Sequence, residues 1–194
     1  MFRYASDQSL FLDRAPADTN LDVLARIPGV VNLHPAYQSI LIVFDPLITT
    51  HDAVQLAASK ASSALPAAHH HHEIPIHYDG PDLDAVARLH GLSKEKVIAL
   101  HAGAAYTVAF LGFVPGFAYL SGLPAALHTP RLPSPRKSVP AGSLGIGGDQ
   151  TGIYPLTTPG GWQLIGHTSL ILFNAANTPM SLLQPGDQIQ FIPI

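Results

Sequence analysis

The sequence contains no cysteine in 194 residues, which removes disulfides, thiolate metal ligands and cysteine nucleophiles from consideration. Charge is scarce as well. Only 12% of residues are charged and the formal net charge is −3, so there is no basic footprint for nucleic acid or an anionic membrane. Acid is scarcest from Tyr106 onward, where Asp149 and Asp187 are the only carboxylates. A two-carboxylate hydrolase mechanism or a carboxylate-held magnesium ion therefore lacks its parts in that half. No segment approaches the roughly 20 apolar residues of a membrane span. The start, MFRYASDQSLFLDR, lacks the basic opening and apolar core of a signal peptide. A cytoplasmic protein with no membrane or nucleic-acid partner is expected.

Glycine and proline are plentiful and unevenly placed. Eleven of the sixteen glycines fall between Phe110 and His167, interleaved with Phe113, Phe117, Tyr119, Tyr154 and Trp162. Glycine permits positive φ and close backbone approach, while proline fixes φ, so this mixture specifies particular loops. Within it, residues 142 to 148 read GSLGIGG, but no GxxxxGK[ST] spacing follows and no GxSxG elbow is present. Backbone amides in such a turn suit an anion nest. The polar groups set in this frame are Arg131, Arg136, Lys137, Gln150, Thr151, Tyr154 and His167. Arginine forks suit carboxylate or phosphate, and Gln or Tyr can orient an amide. Beside Trp162 and Phe113 they form a candidate ligand-facing or partner-facing surface.

Before that region the chain reads as βαββαβ. The elements are a strand over Phe2 to Leu12 broken near Ser6 and Asp7, a helix over Asp18 to Ile27, strands Val30 to His34 and Ser39 to Phe44, a helix over Thr50 to Leu65, and a strand over Glu73 to Tyr78. That order predicts a ferredoxin-like domain over residues 1–78. The histidine run His69 to His72 reads as a solvated connector rather than a metal site, because consecutive residues in a loop do not converge on one ion.

Asp82 to His90 and Ser93 to His101 predict two short helices, with Asp82 or Ser93 as caps and His90 and His101 as helix-end residues. Their spacing resembles a helix-turn-helix, yet the second helix offers Lys94, Glu95 and Lys96 and nothing suited to reading base edges. A helical connector over residues 79–104 is the better reading. Beyond it, short strands over Tyr106 to Phe113, Ser138 to Ile146, Gly152 to Leu156, Trp162 to Ile165, Thr168 to Phe173 and Asp187 to Ile192 predict a closed β domain over 105–194. The fold class is α+β.

The segments GFVPGFAYLSGLP, TPRLPSPRKSVPAGSLGIGGDQTGIYPLTTPGGWQLIGHT and LLQPGDQIQFIPI closely resemble the family of 5-oxoprolinase B subunits, also called the KipI or allophanate hydrolase subunit 1 family. The likeness covers essentially the whole chain, although the segment from His77 to Leu83 is shorter than the family's glycine-rich connector. It implies a ferredoxin-like domain followed by a cyclophilin-like β-barrel. It also implies a heteromeric complex in which this chain joins the C and A subunits of 5-oxoprolinase to open 5-oxoproline to glutamate with ATP and magnesium, neither bound by this chain alone.

Lactam opening is endergonic and needs coupling, for instance by phosphorylating the amide oxygen so that water attacks the activated carbon. In that scheme Arg136, Gln150 and Tyr154 are the expected catalytic residues, with Arg131 or Arg136 holding a carboxylate or phosphate and Gln150 or Tyr154 orienting the lactam. Phe113, Pro115, Phe117, Tyr119, Arg131, Gly142, Thr151 and Trp162 are expected to contact substrate or partner, and no metal ligand is expected. Other branches of the family imply inhibition of a sensor histidine kinase, or urea and allophanate chemistry.

Overall fold

The computed structural model describes residues 1–61 and 70–194. Two compact units follow one another along the chain, the second beginning at His70. In the first, β1 (Phe2–Ser6) and β2 (Ser9–Leu12) form an antiparallel hairpin. A short helix α1 (Leu21–Ala25) follows, its N-cap Asn20 accepting the Val23 N–H through its side chain. Then come β3 (Val30–Pro35), β4 (Ile40–Phe44) and helix α2 (His51–Ala61). The sheet runs β1-β2-β4-β3. Ile40, Ile42 and Phe44 recur with the two-residue period of a strand and are buried, packing with Leu10, Leu12, Leu24, Val54 and Ala58 into one core.

This unit does not reproduce the expected βαββαβ order. The break at Ser6 and Asp7 is a hairpin turn, so four strands are already in place by Phe44. The strand expected over 73–78 is β5 (His71–Ile76), and it joins the other sheet. Its period decides this: Ile74 and Ile76, two apart, are both fully buried among residues of the second unit. The histidine run is consequently not a free connector at its C-terminal end, since His71 and His72 are strand residues. His69 lies outside the described residues, as do positions 62–65 of the expected second helix.

The second unit continues with α3 (Leu83–Leu89), α4 (Lys94–Ala102), β6 (Tyr106–Leu111), β7 (Ala118–Ser121), β8 (Arg136–Val139), β9 (Ser143–Gly147), β10 (Gln150–Ile153), β11 (Thr158–Gly160), β12 (Gln163–His167) and β13 (Gln188–Pro193). Seven of its strands form one sheet in the order β12-β9-β10-β7-β6-β13-β5. All neighbours are antiparallel except β13 and β5. His77, just past the edge strand β5, and His167, the last residue of the other edge strand β12, exchange backbone hydrogen bonds at 2.9 and 2.8 Å, so the sheet curls nearly into a barrel. β8 and β11 make a separate two-stranded ribbon.

Inside the barrel, Ile74, Ile76, Val108, Leu120, Leu144, Ile146, Ile153, Ile165 and Phe191 share one core with Val86 and Val97 of the two helices. α3 packs on β12 and α4 on β13. Ser93 caps α4 as expected, accepting the Lys96 N–H. The strand expected over Thr168 to Phe173 does not form. Apart from an isolated bridge between Phe173 and Ser181 it finds no partner strand among the described residues, and Ile171 stays exposed.

Among the described residues no helix is long and apolar enough to cross a membrane.

Candidate functional site

The site begins with a pair of tight turns that the sequence dictates. In Gly112-Phe113-Val114 the Val114 N–H donates to the Gly112 carbonyl at 2.8 Å, a γ-turn, and Phe113 takes φ 68°. An aromatic residue there is strained by about 1–3 kcal/mol. Immediately after, the Phe117 N–H donates to the Val114 carbonyl at 3.1 Å, closing Val114-Pro115-Gly116-Phe117. Proline presets the first central position and Gly116, at φ 80°, supplies the second, as a type II turn requires. The two turns lift Phe113 to the surface, 57% exposed, while Phe117 turns inward to 1%.

Phe113, Phe117, Tyr119, Tyr154 and Trp162 then line a pocket of about 320 Å³ with Arg131, Leu132, Pro135, Pro159, Gly160 and Gly161. Phe117 meets the rings of Phe113, Tyr154 and Trp162 nearly edge to face at centroid distances of 5.5, 5.2 and 5.3 Å. Such pairs contribute about 0.5–1.5 kcal/mol each beyond area burial, so the wall is rigid. Trp162 can lie flat against the barrel because β9 carries Gly147, where any side chain would overlap the indole Nε1. Burial pushes the Tyr119 and Tyr154 phenols up from their ordinary range. For Tyr154 a hydrogen bond with the Trp162 backbone works against this. Both are neutral hydroxyls at physiological pH.

Two arginines expected at this site differ in what they do. Arg131 is exposed, its guanidinium 5.9 Å from the Trp162 ring centroid, and among the described residues no carboxylate pairs with it. It is a cation held over an aromatic floor and open to an anion. Arg136 is already engaged. Its Nη2 donates to both carboxylate oxygens of Asp82 at 2.6 and 2.7 Å, and its Nη1 donates to the Trp162 carbonyl at 3.2 Å.

Of the remaining expected residues, Pro115 faces an adjoining groove with Phe173 and Met180. Gly142 lies in the turn before β9, where its N–H donates to the Tyr154 carbonyl at 2.7 Å. Thr151 is fully buried, donating through Oγ1 to the Gly145 carbonyl at 2.9 Å and standing 3.0 Å from His101 Nε2. It therefore faces the barrel interior. Gln150, its neighbour in β10, points to the opposite face, and its side-chain nitrogen is buried without a hydrogen-bond partner among the described residues. His101 stands in the last turn of α4, as expected of a helix-end residue, and its side chain belongs to the core at 0% exposure.

The sequence reading missed Asp82 as the Arg136 partner, and also Leu132 and Pro135 on the wall. The signal for Asp82 was present, as one of few acids near a region almost without them. Among the described residues no group of three His, Asp or Glu converges as a metal site.

The family described as carboxyltransferase domain, subdomain C and D, matches residues 12–183. The B subunit of 5-oxoprolinase from Escherichia coli O157:H7 is 49% identical over 176 residues, covering 88% of this chain and 81% of that protein. Its counterpart from Haemophilus influenzae is 44% identical over 174 residues, covering 88% and 79%. The solved structure of TTHA0988 superposes with a TM-score of 0.84 at 35% identity, covering 100% of this chain and 40% of that one, so this chain spans two fifths of that protein. The chain belongs to the carboxyltransferase subdomain C and D family and, within it, to the group of 5-oxoprolinase B subunits.

Proposed function

We propose that this chain is the B subunit of an ATP-dependent 5-oxoprolinase that opens 5-oxo-L-proline to L-glutamate, and that the aromatic pocket under Arg131 receives the lactam. The observation that carries the reading is the pairing of an exposed guanidinium, without a carboxylate partner among the described residues, with five aromatic rings around one cavity. 5-Oxo-L-proline is a small flat ring bearing one carboxylate. Its ring suits the walls of Phe117, Tyr154 and Trp162, and its carboxylate suits the Arg131 fork. The neutral Tyr154 hydroxyl is a donor for the lactam oxygen, whereas Gln150 is not among the residues that line the cavity.

No carboxylate lines this pocket, so a magnesium ion carried by ATP has no ligand there and does not fit it. On this reading the nucleotide is bound elsewhere in the complex, and the C subunit, sharing the site, supplies the missing acid or base. The kinase-inhibitor and urea-related readings have no observation of their own to favour them.

The test is 5-oxo-L-proline-dependent ATP hydrolysis by this chain alone, with the C subunit added, and with the C and A subunits together. Activity only in the complete mixture supports the proposal; silence in every mixture of folded proteins overturns it.

A further inference from the structure

Asp82 is a buried acid in a position that should cap a helix. It stands immediately before α3, yet its carboxylate makes no cap bond. It turns instead toward the pocket wall, where it accepts Arg136 Nη2 on both oxygens and the Leu164 N–H at 2.6 Å. Its own backbone N–H donates to the Leu164 carbonyl at 2.9 Å. Arg136, from the other side, donates to the Trp162 carbonyl. The backbone from Trp162 to Leu164 is thus held at three polar groups, two by the ion-paired side chains and one by the Asp82 backbone, and the ring that this backbone carries is the pocket floor. Forgoing a cap worth about 1 kcal/mol is costly for a seven-residue helix, and the gain appears at Trp162.

From this arrangement we infer that Asp82 and Arg136 are positioning residues, a clamp that fixes the Trp162 indole and so sets the shape of the pocket. Neither touches the cavity, since neither is among its lining residues. The inference rests on the pocket being the binding site only where substrate enters the test.

Trp162 is the only tryptophan of the chain, so its fluorescence reports on the clamp without any ligand. In the full-length chain, Asp82→Asn, Arg136→Lys and Arg136→Ala are expected to shift Trp162 emission to longer wavelength and to raise its quenching by acrylamide. Arg136→Lys, which keeps the charge but loses the planar fork, should recover part of the change. Asp82→Asn and Arg136→Ala combined should change the ring no further than the larger single effect, because the two groups act as one unit. Where Arg136→Ala does not fold, the isosteric Asp82→Asn and the charge-conserving Arg136→Lys carry the same measurement. Folded variants that melt earlier but leave emission and quenching at parental values would show a merely stabilising ion pair and overturn the inference.

In the complete enzyme the same variants should lose on the order of tenfold to a hundredfold in turnover of 5-oxo-L-proline, as expected of a misplaced wall. If 5-oxo-L-proline fails to bind the parent while acrylamide still separates the variants, the proposed substrate falls and the clamp stands.

Discussion

His101 Nε2 lies 3.0 Å from Thr151 Oγ1, and the direction of that hydrogen bond is fixed by its neighbours. Thr151 donates its hydroxyl proton to the Gly145 carbonyl, so His101 must donate from Nε2. Its Nδ1 then accepts from the Tyr78 hydroxyl at 2.9 Å, and the Tyr106 hydroxyl donates to the His101 carbonyl at 2.8 Å. A neutral imidazole is built into the barrel core, and burial pushes its pKa down to about 3.

The sign of the pH effect follows. An unfolded chain protonates this imidazole near 6.5 and the folded chain does so only near 3, so the unfolded state binds more protons in between. Stability is complete above the unfolded value and falls as pH drops, by about 2 kcal/mol between pH 7 and pH 5 from this residue. Urea unfolding at the two pH values measures it. In His101→Gln, which keeps a donor but does not titrate, the slope should flatten over that range.

Arg131→Ala should weaken binding of 5-oxo-L-proline by about 1.5–3 kcal/mol, the usual worth of a charge-assisted hydrogen bond, and leave the melting temperature within about a degree or two. Arg131→Lys should recover only part of the affinity. Calorimetric titration of the complex, with the melting curve alongside, checks both. Undiminished affinity in Arg131→Ala would place the carboxylate elsewhere.

Phe113 and Phe117 are neighbours in the pocket with opposite burdens. Phe117→Ala removes a ring that is 1% exposed and should cost about 3–5 kcal/mol in stability. Phe113→Gly removes an exposed ring from a left-handed backbone position and should stay within about 1 kcal/mol of the parent, since relief of strain offsets the lost contact. Chemical denaturation of the two variants tests the contrast, and both should impair binding.

Gly147→Ala should displace the indole of Trp162, because a methyl group there overlaps Nε1. The expected cost is about 1–3 kcal/mol, with a change in tryptophan emission like that of a loosened clamp. Emission and stability identical to the parent would mean the indole does not lie on β9.

Much of the second unit was legible because its chemistry is local. The Val114-Pro115-Gly116-Phe117 turn, the Ser93 cap and the glycine-flanked aromatics each announce themselves within a few residues. What stayed hidden depends on partners far along the chain. β5 reads as a strand from its own period, but nothing in residues 71–76 says that its neighbour is β13. Gln150 and Thr151 look alike in sequence as polar residues after a glycine turn, and only the strand period, counted in the correct register, sends one to each face. Arg131 and Arg136 are five apart and chemically identical. The single acid Asp82, 54 residues before Arg136, decides which of them is engaged.

The parallel pairing of β5 with β13 has a consequence for synthesis. The His70 N–H and His72 Nε2 reach Asp187 at 2.9 and 3.0 Å, and His70 stands 117 residues before it in the chain. Contacts of such sequence separation form slowly, because loop-closure entropy must be met before they return anything. On the ribosome, therefore, the first unit can fold as soon as it emerges, whereas β5 must wait with an open edge until Gln188–Pro193 has left the exit tunnel. Until then Ile74 and Ile76 lack the strand that stands beside them in the finished sheet.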